Sequence, residues 1–304
     1  MCTAMICQQS SKDTCPGPSY ARSSRKSHRL MEQNTATAPQ TDFPVQHVGA
    51  IRFQASRIIA ALILREASSR FGKSAGGYFW SIAEPAAGVL LLSIAFGFLL
   101  AKPPIGSSFF LFYTSGVVPL LFFNTLSNAL AQSVASNKGL LSYPVVSILE
   151  VIVARTLLEL MTYSAVFVII TLFVVQVDNI VLHPDLLQVI VALLLTALLG
   201  MAVGMANCIL FVHFPIWRNI WRILTRPMLI ISGVMFTYDR MPESLKEWLW
   251  YNPLLQNIGV MRGGLYAVYN DSYVSYTYII GVCLFIIAVS AAIIRADQGR
   301  LIEQ

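Results

Sequence analysis

Few residues in this chain are of a type and spacing that could do chemistry. Ala67-Ser68-Ser69-Arg70-Phe71-Gly72-Lys73-Ser74 fits a loose phosphate-loop pattern, with Ala in place of the first Gly. Such a loop binds phosphate only where it follows a buried strand and opens a soluble helix. Here a basic, partly apolar stretch precedes it and a long apolar run follows. A nucleotide site is therefore not expected on this chain. The histidines are His28, His47, His183 and His213, two in a polar tail and two in short connections. No GxSxG, HExxH or paired-carboxylate constellation occurs. Cys2, Cys7 and Cys15 lack a close pair, so no metal site is expected. Cys208 and Cys283 lie in apolar runs and read as small hydrophobes. No catalytic residue and no cofactor is assigned.

The remaining ionisable residues near apolar segments read as structural. Glu84 precedes Pro85 where a long apolar run begins, a placement that suits a helix N-terminus. Arg155 and Glu159 are four residues apart and are expected to pair. No chain of charges crosses the apolar segments, which argues against proton-coupled transport. Aromatic side chains are more telling. Phenylalanines and Tyr113 crowd 109–123, and Trp and Tyr crowd 248–278. Much of this is an interfacial belt. Aromatic faces also suit sugar rings, and Tyr113, Phe123, Tyr251, Asn252, Tyr266 and Tyr269 are the candidate substrate-channel residues.

The elements that must position these residues follow from composition. Of 304 residues, 56% are apolar and only 12% charged, and mean hydropathy is +0.65. Soluble domains carry about 25% charged residues, so the chain reads as an all-α integral membrane protein. The net charge of +6 reflects basic tail and loop residues and gives no reason to expect nucleic acid. Residues 1–50 are polar and aperiodic and are expected to be a disordered cytoplasmic tail without a signal peptide; Met31 offers a second possible start. Ile51, Ala55, Ile58, Ile59 and Leu62 then mark an amphipathic helix lying at the membrane interface, with Phe53 and Leu64 off the stripe.

A spanning helix needs roughly 20 apolar residues. Segments 81–101, 109–131, 152–177, 186–212 and 275–295 qualify, and a sixth near 220–238 is interrupted at Arg226-Pro227. Residues 241–270 are too broken to span and too apolar for a free loop, so re-entrant half-helices are expected between spans five and six. Gly200-x-x-x-Gly204 allows close helix approach. Ten Lys and Arg flank the spans on one side and four on the other. That bias places both termini in the cytoplasm.

Several phrases resemble a known family. Leu64-Arg65-Glu66, Arg70-Phe71-Gly72, Gly77-Tyr78-x-Trp80 and Glu84-Pro85 come first. Asn137-Lys138-Gly139-Leu140-Leu141 and Val153-Ala154-Arg155-x-Leu157-Leu158-Glu159 follow. Met235-Phe236, Met241-Pro242, Trp250-x-Asn252-Pro253-Leu254 and Arg262 complete the order. Together, over 51–304, they resemble the permeases of type-2 ABC exporters, and more narrowly those exporting capsular polysaccharide and O-antigen. The resemblance implies a homodimeric half-channel in the bacterial inner membrane, driven by two copies of a separate ABC ATPase. Its substrate would be a capsular polysaccharide or related lipid-linked glycan. The alternatives are an ABC-2 exporter of drugs, lipids or lipo-oligosaccharide, and a membrane-bound acyl- or glycosyltransferase. A permease without its own nucleotide site must receive force through a cytoplasmic contact. The expected coupling element is the loop with Asn137 as a cap, Lys138, Gly139, the apolar Leu140, Leu141 and Tyr143, and Pro144 as a stop.

Overall fold

The computed structural model describes residues 51–71, 77–100, 102–136 and 147–296. Among the described residues every regular element is helical. In chain order these are α1 (Ile51–Phe71), α2 (Gly77–Leu99), α3 (Phe109–Ala131), α4 (Ser133–Ser136), α5 (Ile148–Asp178), α6 (Leu186–His213), α7 (Trp217–Thr225), α8 (Met228–Ile231), a 3-10 turn (Tyr238–Arg240), α9 (Glu243–Trp250), α10 (Pro253–Leu265) and α11 (Tyr276–Ala296). Five helices, α2, α3, α5, α6 and α11, are long and apolar enough to cross a membrane.

The helix ends follow local chemistry. Ser108 caps α3, its hydroxyl accepting from Leu111 N at 3.2 Å. Ser147 and Glu150 form a capping box on α5. Asn179 ends α5 in the left-handed region, which Asn tolerates. Asp185 caps α6 through Leu187 N and Gln188 N.

The helix α3 is the centre of the bundle, with most of its residues buried. Its most extensive contact is with α6. Gly200 and Gly204 make that contact possible. A Cβ at Gly200 would lie 2.8 Å from Leu126, and one at Gly204 would lie 2.7 Å from Leu130 Cβ and 3.2 Å from Ser127 Cα. The small-residue spacing in the sequence thus does serve close packing. Cys208 and Cys283 are buried, and the Cys208 sulfur lies 3.7 Å from Ser133 Oγ.

At one end of the bundle α1 lies on α5, with Leu62 buried against Val151 and Ala154, and with Ile58, Ile59 and Ile63 beside it. Leu64, off the expected stripe, is 72% exposed. Arg155 reaches across 89 residues to Glu66 of α1, at 2.9 Å and 3.1 Å, and donates to Ala129 O at 2.7 Å. Arg155 thus ties α5 to α1, a contact between helices that its four-residue spacing from Glu159 did not announce. One correction concerns Pro85. It sits in the interior of α2, eight residues past Gly77, and so does not mark the helix start.

The segment expected as a sixth span is not one helix. Residues 217–231 form α7, of nine residues, and α8, of four, separated at Arg226-Pro227. Pro227 lacks an N–H and its ring clashes with the preceding turn, so the helix breaks there. After α8 the chain turns at Gly233, with φ of 73°, and runs without helix to the 3-10 turn.

Candidate substrate site

The candidate site forms where α10 inserts beside α6 and α3. Asn252 starts α10: its Oδ1 accepts from Leu254 N at 3.0 Å and its Nδ2 donates to Ile231 O at 3.2 Å. Pro253 takes the first helical position, where no N–H is needed. Nearly all of α10 is buried. Gly264 lets it approach α6, since a Cβ there would meet Val189 N at 3.0 Å and Asp185 O at 3.3 Å. Asp185 N donates to Gly264 O at 2.8 Å, and Gln188 donates to Asp271 at 2.6 Å. The short α9 is the opposite, with Trp248 79% and Tyr251 64% exposed.

Arg262 of α10 is buried. Its two terminal nitrogens donate to Val234 O and Phe236 O, each at 2.9 Å. Its guanidinium lies 4.3 Å over the Phe112 ring. The cation thus satisfies carbonyls that the chain exposes where helix is lost after Gly233, and the Phe face helps to offset its burial. Gly116 of α3 makes room, because a Cβ there would lie 3.2 Å from Val234 Cα and 3.4 Å from Arg262 Nη2.

Beside this clamp is a tyrosine group. Tyr238 stacks on Tyr273 at 4.0 Å, and the Tyr269 and Tyr273 hydroxyls are 2.8 Å apart. Burial raises the pKa of the Tyr266, Tyr269 and Tyr273 phenols above the usual tyrosine value. Tyr273 O accepts from Trp250 Nε1 at 2.9 Å, tying α9 to the group. A Cβ on Gly106, at φ of 73°, would lie 2.7 Å from the Tyr266 ring, so the 102–108 connection rests directly on it.

A cavity of about 590 Å3 opens at this end of the bundle. Four connections wall it: 104–108, 180–183, 237–240 and 265–270. Tyr266 and Tyr269 supply aromatic faces, and His183, Asp239, Arg240 and Asn270 supply hydrogen-bonding groups. An apolar floor with charges of both signs and aromatic rings can hold a polyhydroxyl compound. Of the six channel candidates, Tyr266 and Tyr269 meet here. Tyr251 stands exposed on the neighbouring face, and Asn252 is engaged as a helix cap. Tyr113 and Phe123 are packed in the core at 0% and 2% exposure. The coupling residues Asn137, Lys138, Gly139, Leu140, Leu141 and Tyr143 lie outside the described residues. Sequence reasoning missed Asp239, Arg240 and His183. The signal for Asp239 and Arg240 was a small polar island, Thr237 to Arg240, between two apolar segments.

Among the described residues, four apolar spans gather around a fifth, the central α3, with a cavity lined by tyrosines at one end; they define an all-helical membrane domain. A sequence profile of the ABC-2 type transporter family matches residues 57–266. The chain belongs to that family. It is 29% identical over 244 residues to the polysialic acid transport protein KpsM of Escherichia coli, covering 80% of this chain and 95% of that one. It is 25% identical over 244 residues to the capsule polysaccharide export inner-membrane protein CtrC of Neisseria meningitidis serogroup A, covering 80% and 92%. To the capsule polysaccharide export inner-membrane protein BexB of Haemophilus influenzae it is 26% identical over 220 residues, covering 72% and 82%.

Proposed function

We propose that the protein is the permease subunit of an ATP-driven exporter that moves a capsular-type polysaccharide outward across a bacterial inner membrane. The observation that carries this reading is the likeness to a polysialic acid transport protein and two capsule polysaccharide export proteins, over 82% to 95% of their lengths. The domain is 51–304, preceded by a cytoplasmic tail. A separate ABC ATPase, in two copies, supplies the energy, and its contact is the 137–143 segment. Both termini are cytoplasmic, α1 lies at the inner interface, and the cavity end faces outward. In this arrangement α7 and α8 make up the sixth crossing together, while α9 and α10 dip in from outside.

Two copies form the channel. Three ionisable side chains support this: Glu84 on α2, Arg222 on α7 and Arg226 just past the end of α7 are exposed on the protomer. Glu84 lies about 7 Å along the axis past Phe79, at 1.5 Å per residue. Facing lipid, each charge would cost several kcal/mol. Facing a wet path between two copies, they need not be desolvated. Deleting the gene is expected to abolish surface polysaccharide and to cause its accumulation inside the cell, with restoration by the intact gene. Normal surface glycan in the deletion strain, without internal accumulation, would overturn the reading.

A further inference from the structure

Two opposite charges lie inside the span and face outward from the protomer. Glu84 of α2 and Arg226, just past the end of α7, are both exposed. Among the described residues neither makes an ion pair or a side-chain hydrogen bond. Their depths can be compared along α3. The helix α2 runs antiparallel to α3: a Cβ on Gly88 would lie 3.3 Å from Val117, and the Phe96 and Tyr113 rings are 5.7 Å apart. Glu84, four residues before Gly88, therefore lies about 6 Å nearer the Ala131 end of α3, level with Leu121. On α7 the Trp221 indole donates to Asn128 Oδ1 at 3.2 Å. Arg226, five residues later, lies about 7.5 Å further from that end, level with Phe123. The two charges thus share a depth to within about 3 Å, roughly 12–15 Å from the Ala131 end. Arg222 lies about 6 Å closer to that end than Arg226, where a long side chain can extend its head to the interface.

The faces that carry the two charges are also matched. Trp80, Glu84, Ala87 and Leu91 are exposed and follow one stripe of α2. The helix α7 is fixed by two indoles, Trp217 donating to Asn207 and Trp221 to Asn128. Arg226 falls about 140° around the helix from Trp221, with the exposed Ile223 one turn before it. Each face is thus a charge flanked by apolar groups, and the two charges are opposite in sign. A charge facing hydrocarbon is strongly disfavoured. Within the protomer α2 packs mainly on α1, α3 and α5, and α7 on α6 and α8. A two-fold axis along the membrane normal preserves depth, so residues that meet across it must be level, and each contact occurs twice.

We infer that Glu84 of one copy forms an ion pair with Arg226 of the second copy, with the exposed stripe of α2 against the flank of α7. The inference rests on the two-copy reading. The paired contacts fix the register of the copies and leave none of the four charges facing lipid. An acidic group on a passing glycan would suit Arg226 but would be repelled by Glu84 at the same level.

The test uses the full chain with its partner ATPase in membranes, as two copies carrying different tags and with the native cysteines replaced by alanine. With Glu84→Cys on one copy and Arg226→Cys on the other, oxidation should crosslink the two. Phe98→Cys, exposed on α2 about 21 Å further along, should give no crosslink with Arg226→Cys. In the parent, one tag should recover the other. Glu84→Arg alone, or Arg226→Glu alone, placed in both copies, should lower that recovery about tenfold, because each leaves like charges facing one another. The two together should restore it to within about threefold of the parent, which also separates lost pairing from misfolding. Copies that still co-purify without the 84–226 crosslink, and with no rescue in the double variant, would overturn the inference and leave the two-copy reading standing. An Arg226→Glu variant that keeps its partner copy but loses surface polysaccharide would assign Arg226 to the glycan path and overturn it as well. Parent copies that do not co-purify from membranes where both are inserted would overturn the two-copy reading itself.

Discussion

Replacing Arg262 by Met removes the two donors that hold Val234 O and Phe236 O, each now at 2.9 Å. Both carbonyls belong to chain that has left helix, so no ladder hydrogen bond replaces the loss. Leaving a buried acceptor unsatisfied costs about 1–3 kcal/mol, or about 2–6 kcal/mol for the pair. The substitution also removes a buried cation that has Phe112 and carbonyl dipoles around it and makes no ion pair among the described residues. Relief from that burial offsets part of the loss. The expected net effect is about 2–4 kcal/mol of destabilisation. Arg262→Lys keeps the charge but lacks the planar fork, so it should recover about half. Thermal unfolding of the detergent-solubilised chain, followed by tryptophan fluorescence, measures the loss. Limited proteolysis should show new cleavage between 232 and 242. A Met variant within about 0.5 kcal/mol of the parent, with unchanged cleavage, would refute the clamp.

Gly264→Ala should destabilise by about 1–3 kcal/mol, because its Cβ would press on the backbone of Val189 and Asp185, which cannot give way; thermal unfolding reads it. Glu66→Gln and Arg155→Met, combined in a double-mutant cycle, should show a coupling of about 0.5–3 kcal/mol, since both side chains are largely buried. Stability should fall as pH rises past 10: Tyr273 has a folded pKa raised above that ordinary value, so its contribution is complete below 10 and is lost as the pH climbs toward the folded value. Tyr273→Phe should flatten that alkaline loss, measured by unfolding at pH 8 to 11. Leu140→Asp and Tyr143→Asp should weaken ATPase association in pull-downs from membranes while leaving the chain inserted.

Periodicity and length made most of the bundle legible. The long runs at 109–131 and 186–212 became α3 and α6 with nearly the expected ends, because a membrane-length apolar run has few other stable states. Gly200 and Gly204 announced their contact by spacing alone. The interruption at Arg226-Pro227 was visible, but where the chain went after it was not. That path depends on Arg262, some 28 residues later, reaching back to Val234 O. The contact of Arg155 with α1 was hidden for the same reason, because Glu66 lies 89 residues away and no local spacing points to it. The aromatic crowding pointed to Tyr266 and Tyr269, yet the same signal included Tyr113 and Phe123, which pack inside. Aromatic type does not tell a cavity wall from a core, and only the packing of four separate connections around Tyr266 does.

The most direct measurement is transport itself. The full chain and its partner ATPase, reconstituted together in inside-out vesicles, would be given fluorescently labelled lipid-linked polysaccharide. ATP should drive the glycan into the vesicle lumen, where it is protected from an added glycosidase. Vesicles lacking this chain, or given a non-hydrolysable ATP analogue, should show none. Protection that was equal with and without the chain, while the assembled complex hydrolysed ATP, would contradict an exporter of polysaccharide.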